Sequence, residues 1–167
     1  IDHQNPSQNF ILLYQCRRIA VLNMQSRMTK YDINGNIIVR KYYEMLGVGG
    51  PLSIGDINND SMLDFAGGSQ EEFSLFDSNL NRLQGFPIER QGTVSLTPCI
   101  GKLSGNNQHN FAVSGGESSM GYGLWAGYYN AAYLPWSPLG PSWYQWRSDG
   151  FSLADINNDG QVEIISV

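Results

Sequence analysis

The 167-residue chain is poor in the side chains that most often carry catalysis. It has two cysteines, Cys16 and Cys99, and two histidines, His3 and His109. No CxxC pair or Cys/His knuckle surrounds them, which excludes a disulfide framework, a zinc knuckle and a thiol redox centre. The two cysteines are either separate thiols or one bridge. Because no serine, cysteine or acid has a recognisable base partner in the sequence, we expect no enzyme activity and name no catalytic residue.

Positive charge and long apolar runs are scarce as well. Ten lysines and arginines oppose fifteen acids, so the net charge is −5, and Arg17-Arg18 is the largest basic group. This balance argues against nucleic acid or an anionic membrane surface as a partner. No apolar run approaches the about 20 residues of a membrane-spanning helix. The opening "IDHQNPSQNF" lacks the basic and apolar parts of a signal peptide.

Helical patterns are also missing. No segment of about a dozen residues has the apolar period of a helix, and nineteen glycines and seven prolines interrupt the chain. Apolar and polar residues alternate over short segments instead, and the candidate strands of one repeat are 51–57, 64–68, 72–79 and 82–89. In "YDINGN", Asn34-Gly35 predicts a two-residue hairpin turn with positive φ at both residues. The sequence therefore predicts an all-β fold.

An acidic motif recurs along the chain. It is found in "SIGDINNDSMLDF" from Ser53 and in "SLADINNDGQVEI" from Ser152. A degenerate copy, "CIGKLSGNNQHNF", lies between them with Lys102 where the first motif has Asp56, and a weaker copy opens the chain. The repeats start near residues 1, 56, 102 and 155, with four strands expected in each full repeat and a partial repeat at the end. Repeats of this length in a β-rich chain are typical of propeller blades, so we take residues 1–167 as a single segment of that type.

The two acidic motifs have the spacing of a loop that binds one hard cation. Oxygen ligands at the first, third, fifth and ninth positions, with a backbone carbonyl at the seventh, suit the about six to eight oxygens that Ca²⁺ takes. The alternative is that these residues only form Asx turns. The predicted ligands of two Ca²⁺ sites are Asp56, Asn58, Asp60, Met62 and Asp64 in one, and Asp155, Asn157, Asp159, Gln161 and Glu163 in the other.

The sixth position of each loop requires a positive φ. Gly160 adopts this conformation freely, whereas Ser61 adopts it at a cost of about 1 kcal/mol. We therefore expect the last loop to bind Ca²⁺ more tightly than the earlier one. The copy with Lys102 lacks the acids, so we expect no metal there.

Both motifs resemble FG-GAP, or VCBS, repeats of integrin-α-like β-propellers. "SIGDINNDSMLDFAGGS" and "SLADINNDGQVEIISV" carry the likeness, and Ala66-Gly67-Gly68 falls where the family has Gly-Ala-Pro. The resemblance implies that a calcium loop joins the first two strands of each antiparallel, four-stranded blade. The chain would then hold about three blades of a larger propeller. Either a longer protein or further copies of the chain would supply the remaining blades.

Residues 118–146 form an uncharged segment with all four tryptophans and five of the nine tyrosines. Its rings either pack between sheets or form a surface for a sugar or a protein. Pro135, Pro138 and Pro141 predict a loop over 135–141. The residues of the possible ligand or partner surface are Trp125, Tyr128, Tyr129, Trp136, Trp143 and Trp146.

Together these features predict a calcium-stabilised, non-catalytic β-propeller that serves adhesion, assembly, or protein or carbohydrate binding. Some polysaccharide lyases are also built on calcium-binding propellers, so the alternative is a fragment of such a lyase or of another carbohydrate-active enzyme. Calcium loops of extracellular modules fill at about 0.1–1 mM, which predicts an extracellular, cell-surface or periplasmic location. The expected partner is a protein or a carbohydrate, with no nucleic acid and no membrane insertion.

Overall fold

The computed structural model describes ten segments of the chain: residues 10–18, 24–45, 52–68, 72–89, 98–106, 108–117, 121–135, 137, 139–142 and 151–166. These residues form strands, turns and bends, and none of them is helical. The described segments therefore contain no helix that is long and apolar enough to cross a membrane. The predicted all-β class is confirmed.

Thirteen strands in these segments form four antiparallel sheets, in each of which paired strands follow one another along the chain. Sheet 1 contains β1 (Ile11–Arg18), β2 (Met24–Tyr31) and β3 (Ile37–Met45). Sheet 2 contains β4 (Leu52–Gly55), β5 (Asp64–Gly68), β6 (Glu72–Phe76) and β7 (Ile88–Glu89). Sheet 3 contains β8 (Cys99–Gly101), β9 (Asn110–Glu117), β10 (Gly121–Gly127) and β11 (Leu139–Ser142). Sheet 4 contains β12 (Phe151–Ala154) and β13 (Glu163–Ser166).

The prediction of four strands in each full repeat is wrong for sheet 1, which has three strands within the described residues. Sheets 2 and 3 have four strands, and sheet 4, which belongs to the partial last repeat, has two. The strand predicted over 82–89 is reduced to β7. The chain turns before β7, because the Leu83 N–H donates to the Leu75 carbonyl at 2.9 Å and the Phe86 N–H donates to the Leu83 carbonyl at 3.2 Å.

The loop predicted over 135–141 is wrong at its far end, where β11 begins at Leu139. In the described part of sheet 3, β11 pairs with β10 alone and is an edge strand. An edge strand tolerates the missing N–H of Pro141, because a donor on its open side has no ladder partner to lose. The pairing is irregular between Tyr122 and Leu124 of β10.

The turn between β2 and β3 is longer than the predicted two-residue turn. The Asp32 N–H donates to the Asn36 carbonyl at 2.9 Å, and only Gly35 has a positive φ, of 86°. The Asp32 carboxylate fixes this turn by accepting the N–H groups of Asn34 and Asn36 at 2.9 and 2.8 Å. Hydrogen bonds from Asn36 also lower the pKa of Asp32. The sequence analysis did not predict this role of Asp32, although aspartate side chains often accept backbone N–H groups in turns.

Apolar clusters between successive sheets hold the sheets face to face. Phe65 and Ala66 are neighbours on β5 but belong to different clusters, because successive side chains of a strand point to opposite faces. The buried clusters are Met28, Phe65, Phe76 and Leu80 between sheets 1 and 2; Ile57, Ala66, Phe73, Leu75, Phe111, Val113 and Trp125 between sheets 2 and 3; and Ala112, Ala126 and Leu134 between sheet 3 and its partly buried neighbours on sheet 4, Leu153 and Ile164.

The first strands of sheets 2, 3 and 4 lie side by side, and we call β4, β8 and β12 the inner strands. A Cβ on Gly55 of β4 would lie 2.8 Å from Ile100 of β8. A Cβ on Gly101 of β8 would lie 2.8 Å from Leu153 of β12. Each glycine therefore permits the side chain of the next inner strand to approach the backbone closely.

Candidate metal centre

In sheets 2, 3 and 4, eight residues join the inner strand to the second strand, and together with the first residue of that second strand they form a nine-residue loop. We call these three loops loop A (residues 56–64), loop B (102–110) and loop C (155–163). Loops A and C carry the predicted metal ligands, and loop B is the degenerate copy that contains Lys102.

The backbone of these loops bends at the same positions. The fourth residue has a positive φ in all three loops: 60° at Asn59, 69° at Gly105 and 61° at Asn158. The sixth residue has a φ of 66° at Ser61 and 84° at Gly160, which confirms the conformation predicted for that position. The bend at the fourth position was missed, although asparagine and glycine are the residues that adopt it most readily.

The first carboxylate of each acidic loop binds two backbone N–H groups of the same loop. In loop A, Asp56 Oδ1 accepts the Asp60 N–H at 3.0 Å and Oδ2 accepts the Ser61 N–H at 2.9 Å. In loop C, Asp155 accepts the two corresponding N–H groups at 3.1 and 2.8 Å. The aspartate at the first position thus organises the loop around itself.

The third, fifth and seventh residues continue this pattern. Asn58 Oδ1 accepts the Asp60 N–H at 2.9 Å, Asn58 Nδ2 donates to Asp60 Oδ2 at 3.0 Å, and Asp60 Oδ1 accepts the Met62 N–H at 2.8 Å. The structure therefore brings together the side chains predicted at the third and fifth positions. In loop C the corresponding distances are 2.9, 3.2 and 2.8 Å, for Asn157, Asp159 and Gln161.

The side chain of the ninth residue closes each loop by accepting the N–H of the second residue. The distance is 3.3 Å for Asp64 in loop A, 3.1 Å for Asn110 in loop B and 2.8 Å for Glu163 in loop C. Glu163 also accepts a bond from Asn157 Nδ2 at 2.9 Å. The ninth position therefore has one structural role whether its residue is charged or neutral.

Asp64 is the buried carboxylate of loop A. It is fully buried, and within the described residues its Oδ1 has no hydrogen-bond partner. Burial and, to a smaller extent, the charge of Asp60 raise the pKa of Asp64 to about 7, although the N–H of Ile57 opposes the shift. A buried charged oxygen without a partner is unfavourable, so this atom favours a proton or a cation beside it.

The described part of loop B, which excludes its sixth residue, shares its bend and hydrogen bonds with the other loops but has different side chains. The Gln108 N–H donates to Asn106 Oδ1 at 3.2 Å, as the seventh residue does to the fifth in loops A and C. Asn110 is buried, and its Nδ2 has no hydrogen-bond partner in the part of the chain that is described. Loop B thus presents an amide donor where loop A presents a carboxylate oxygen, and Lys102 stands at its first position.

Neighbouring loops touch one another. His109 Nδ1 of loop B lies 3.3 Å from Asn59 Oδ1 of loop A. On the other side, the Val162 N–H of loop C donates to the Lys102 carbonyl at 3.1 Å. The three loops therefore form a row beside the inner strands.

No group of three or more His, Cys, Asp or Glu side chains among the described residues is arranged to hold a metal ion. The carboxylates of loops A and C accept backbone N–H groups instead. A carboxylate oxygen has two acceptor sites, so an oxygen that accepts one N–H retains the capacity to bind a cation. The two calcium sites stay a prediction.

The structure describes only part of the aromatic segment. Trp125 is buried between sheets 2 and 3, which favours the packing interpretation for this residue. Tyr128 is half-buried against the cluster of sheets 3 and 4, and Tyr129 is 39% exposed. Trp136, Trp143 and Trp146 lie outside the described residues.

Cys99 is half-buried, and burial raises the pKa of its thiol. A raised pKa opposes the formation of a reactive thiolate.

The described residues define an all-β chain of stacked antiparallel sheets. In sheets 2, 3 and 4, polar loops with a left-handed fourth residue join the first two strands. Comparison with protein-family models, with curated proteins and with solved structures returned no match for this chain. The resemblance to FG-GAP repeats therefore depends on the residues of loops A and C.

Replacing Ser61 by glycine is expected to stabilise the chain by about 0.5–1 kcal/mol, because Ser61 occupies the left-handed region that favours glycine. The reverse substitution in loop C, Gly160→Ser, should destabilise the chain by a similar amount. Urea unfolding measures both free energies. Ser61→Ala is the control, because it removes the hydroxyl and keeps the strain. An equal gain from alanine and glycine would contradict the role of φ.

Proposed function

We propose that this chain is a calcium-stabilised, non-catalytic scaffold of the β-propeller type, and that it forms part of a larger propeller in a secreted or cell-surface protein. The observation that carries the proposal is the buried carboxylate of Asp64, which has one unpartnered oxygen and lies near the charges of Asp60 and Asp56. A cation in loop A would supply the positive charge that this group of acids lacks.

The donor set fits calcium. Every predicted ligand is an oxygen, and no sulfur or imidazole is included, which favours a hard cation over zinc or copper. Bound calcium would offset most of the negative charge of the three acids in each loop and tie the inner strand to the second strand of its sheet. The residues that would hold it are Asp56, Asn58, Asp60, Asp64 and the Met62 carbonyl in loop A, and Asp155, Asn157, Asp159, Glu163 and the Gln161 carbonyl in loop C.

The packing of the sheets supports the propeller part of the proposal. Successive sheets stack face to face, and their inner strands lie side by side at one edge of the stack. A propeller has this arrangement, in which each blade covers its neighbours.

We propose a protein or a carbohydrate as the partner of the exposed aromatic residues, of which Tyr129 and Tyr133 are each 39% exposed.

Calorimetric titration of Ca²⁺ into the chelator-stripped chain tests this proposal. We expect two sites, and about 2.7 kcal/mol of stabilisation for each site when free Ca²⁺ is 100 times its Kd. Asp155→Ala should leave one site, because it removes the first ligand of loop C.

The matched control is Asp32→Ala. Asp32 also accepts two backbone N–H groups, but its turn lacks the other acids, so the variant should keep both sites. If the wild-type chain takes up no Ca²⁺ and its melting temperature is unchanged, the loops are Asx turns and the proposal fails. Cleavage of acidic polysaccharides by the purified chain would contradict the non-catalytic part of the proposal.

A further inference from the structure

Loop B has the reverse charge of loops A and C. Residues 102–110 contain no acid, and Lys102 stands at the first position, where the other two loops have an aspartate. That aspartate accepts backbone N–H groups, whereas a lysine ammonium has three donors and no acceptor. Because a positive charge attracts ions of the opposite sign, loop B favours an anion where loops A and C favour a cation.

Asn110 directs a hydrogen-bond donor into the interior of loop B. Its Oδ1 accepts the Leu103 N–H at 3.1 Å, and this bond fixes the orientation of the amide. Asp64 closes loop A in the same way, and the charges of Asp60 and Asp56 act on its carboxylate. Asn110 Nδ2 therefore takes the place of the second carboxylate oxygen of Asp64, on the side where loop A holds its acids.

The donor of Asn110 has no acceptor in the described part of the chain. Asn110 is fully buried, and no described group accepts a hydrogen bond from Nδ2. Asn106 Oδ1 already accepts the Ser104 O–H at 2.5 Å and the Gln108 N–H at 3.2 Å, so both of its acceptor sites are filled. The Lys102 ammonium offers only donors. A buried donor without a partner is unfavourable, so an acceptor taken up from solution would stabilise loop B.

We propose that loop B binds a small inorganic anion, of the halide class, between Asn110 Nδ2 and the Lys102 ammonium. The anion accepts the buried amide N–H, and the lysine balances its charge. Lys102 is half-buried and Asn110 is fully buried, so the site favours a small ion over a phosphate or the carboxylate of a sugar. Each neighbouring loop carries three acids that repel an anion, which makes the charge of Lys102 necessary for binding. Binding does not require calcium in those loops.

Urea unfolding of the whole chain in sodium chloride and in sodium gluconate tests the site in solution. The two salts have equal ionic strength, a chelator keeps loops A and C free of metal, and gluconate is too large for a buried site. We expect the gain in stability from chloride to be larger for wild type than for Lys102→Met, which removes the ammonium and keeps the side-chain length. When chloride is about ten times its Kd, the folding equilibrium constant of wild type should rise about tenfold.

Two further variants define the site. Asn110→Asp keeps an acceptor for the Leu103 N–H but replaces the amide donor by the carboxylate that loop A has at this position, so it should also lose the gain from chloride. Lys41→Met is the matched control, because it removes another half-buried lysine, which donates to Asn81 between β6 and β7. This control should keep the gain. Equal chloride dependence in wild type and all three variants would overturn the proposal.

Anomalous diffraction from crystals of the unmodified chain grown in bromide locates the anion directly, so this measurement does not depend on how the variants fold. We expect a bromide between Asn110 Nδ2 and the Lys102 ammonium. A water at that place overturns the proposal, because water accepts from the amide without needing the lysine. Bromide found only elsewhere on the surface, an adventitious ion only, overturns it as well.

Discussion

Replacing Phe111 by alanine is expected to lower the free energy of unfolding by about 3–5 kcal/mol. Phe111 is fully buried between sheets 2 and 3, where its ring centroid lies 4.9 Å from that of Phe73 and 5.9 Å from that of Phe86. The ring also covers Gly127, where a Cβ would lie 2.8 Å from it. Truncation would remove three sets of contacts and leave a cavity that rigid sheets cannot close. A typical domain is stable by about 5–15 kcal/mol, so the loss is a large share of the total.

Urea unfolding followed by tryptophan fluorescence measures this change. Tyr42→Ala is the control, because it also deletes an aromatic ring, but one that is 54% exposed on β3. We expect the control to change the unfolding free energy by less than about 1 kcal/mol. Equal effects of the two substitutions would show that the aromatic cluster between sheets 2 and 3 is not a principal core.

The stability of the metal-free chain is expected to fall as the pH rises from about 4 to 7, through the titration of Asp64. Burial raises the pKa of this group in the folded state to about 7, whereas an unfolded aspartate titrates near pH 3.9. Between these values the folded state binds a proton that the unfolded state has released. The stabilisation is complete below about pH 4 and is lost as the pH rises to about 7. Asp60 is exposed and solvent screens its charge, so we expect the loss of stability to be about 1–2 kcal/mol.

Asp64→Asn isolates this contribution, because asparagine is neutral throughout and is the residue that loop B has at the same position. In the presence of a chelator, the stability of the variant relative to wild type should increase from pH 5 to pH 7.5. Urea unfolding at the two pH values gives the difference.

Asp32→Asn is the matched control. Hydrogen bonds from Asn36 lower the pKa of Asp32, so its stabilisation is lost only as the pH falls below about 4, and the stability difference between this variant and wild type should not change between pH 5 and pH 7.5. A stability difference between Asp64→Asn and wild type that does not change with pH would contradict a buried, titrating carboxylate in loop A.

Features encoded by adjacent residues could be predicted from the sequence. Strand alternation predicted the all-β class, and the preference of glycine for positive φ predicted the bend at Gly160, which Ser61 shares. The grouping of Asp56, Asn58, Asp60 and Asp64 in one loop was also predicted, because all lie within nine residues.

Features that depend on distant contacts could not be predicted in this way. Whether Trp125 packs or binds depends on sheet 2, which lies many residues earlier in the chain. The pKa of Asp64 is raised to about 7 because the side chain is buried, and burial is set by the packing of neighbouring sheets. Likewise, the tolerance of β11 for Pro141 depends on its position at the edge of sheet 3.

Loop B has the same bend and the same closing hydrogen bond as loop A, but it lacks the acids of loop A. Gly105 has the same left-handed bend as Asn59, and Asn110 closes the loop by the same bond as Asp64, although a lysine has replaced the first acid. Loops that differ in charge therefore share short polar side chains and a left-handed fourth residue. Substitutions at the charged positions can accumulate without disturbing the order of strands. The charge of each loop, and with it the affinity of the loop for ions, can consequently change during evolution while the strands around it are preserved.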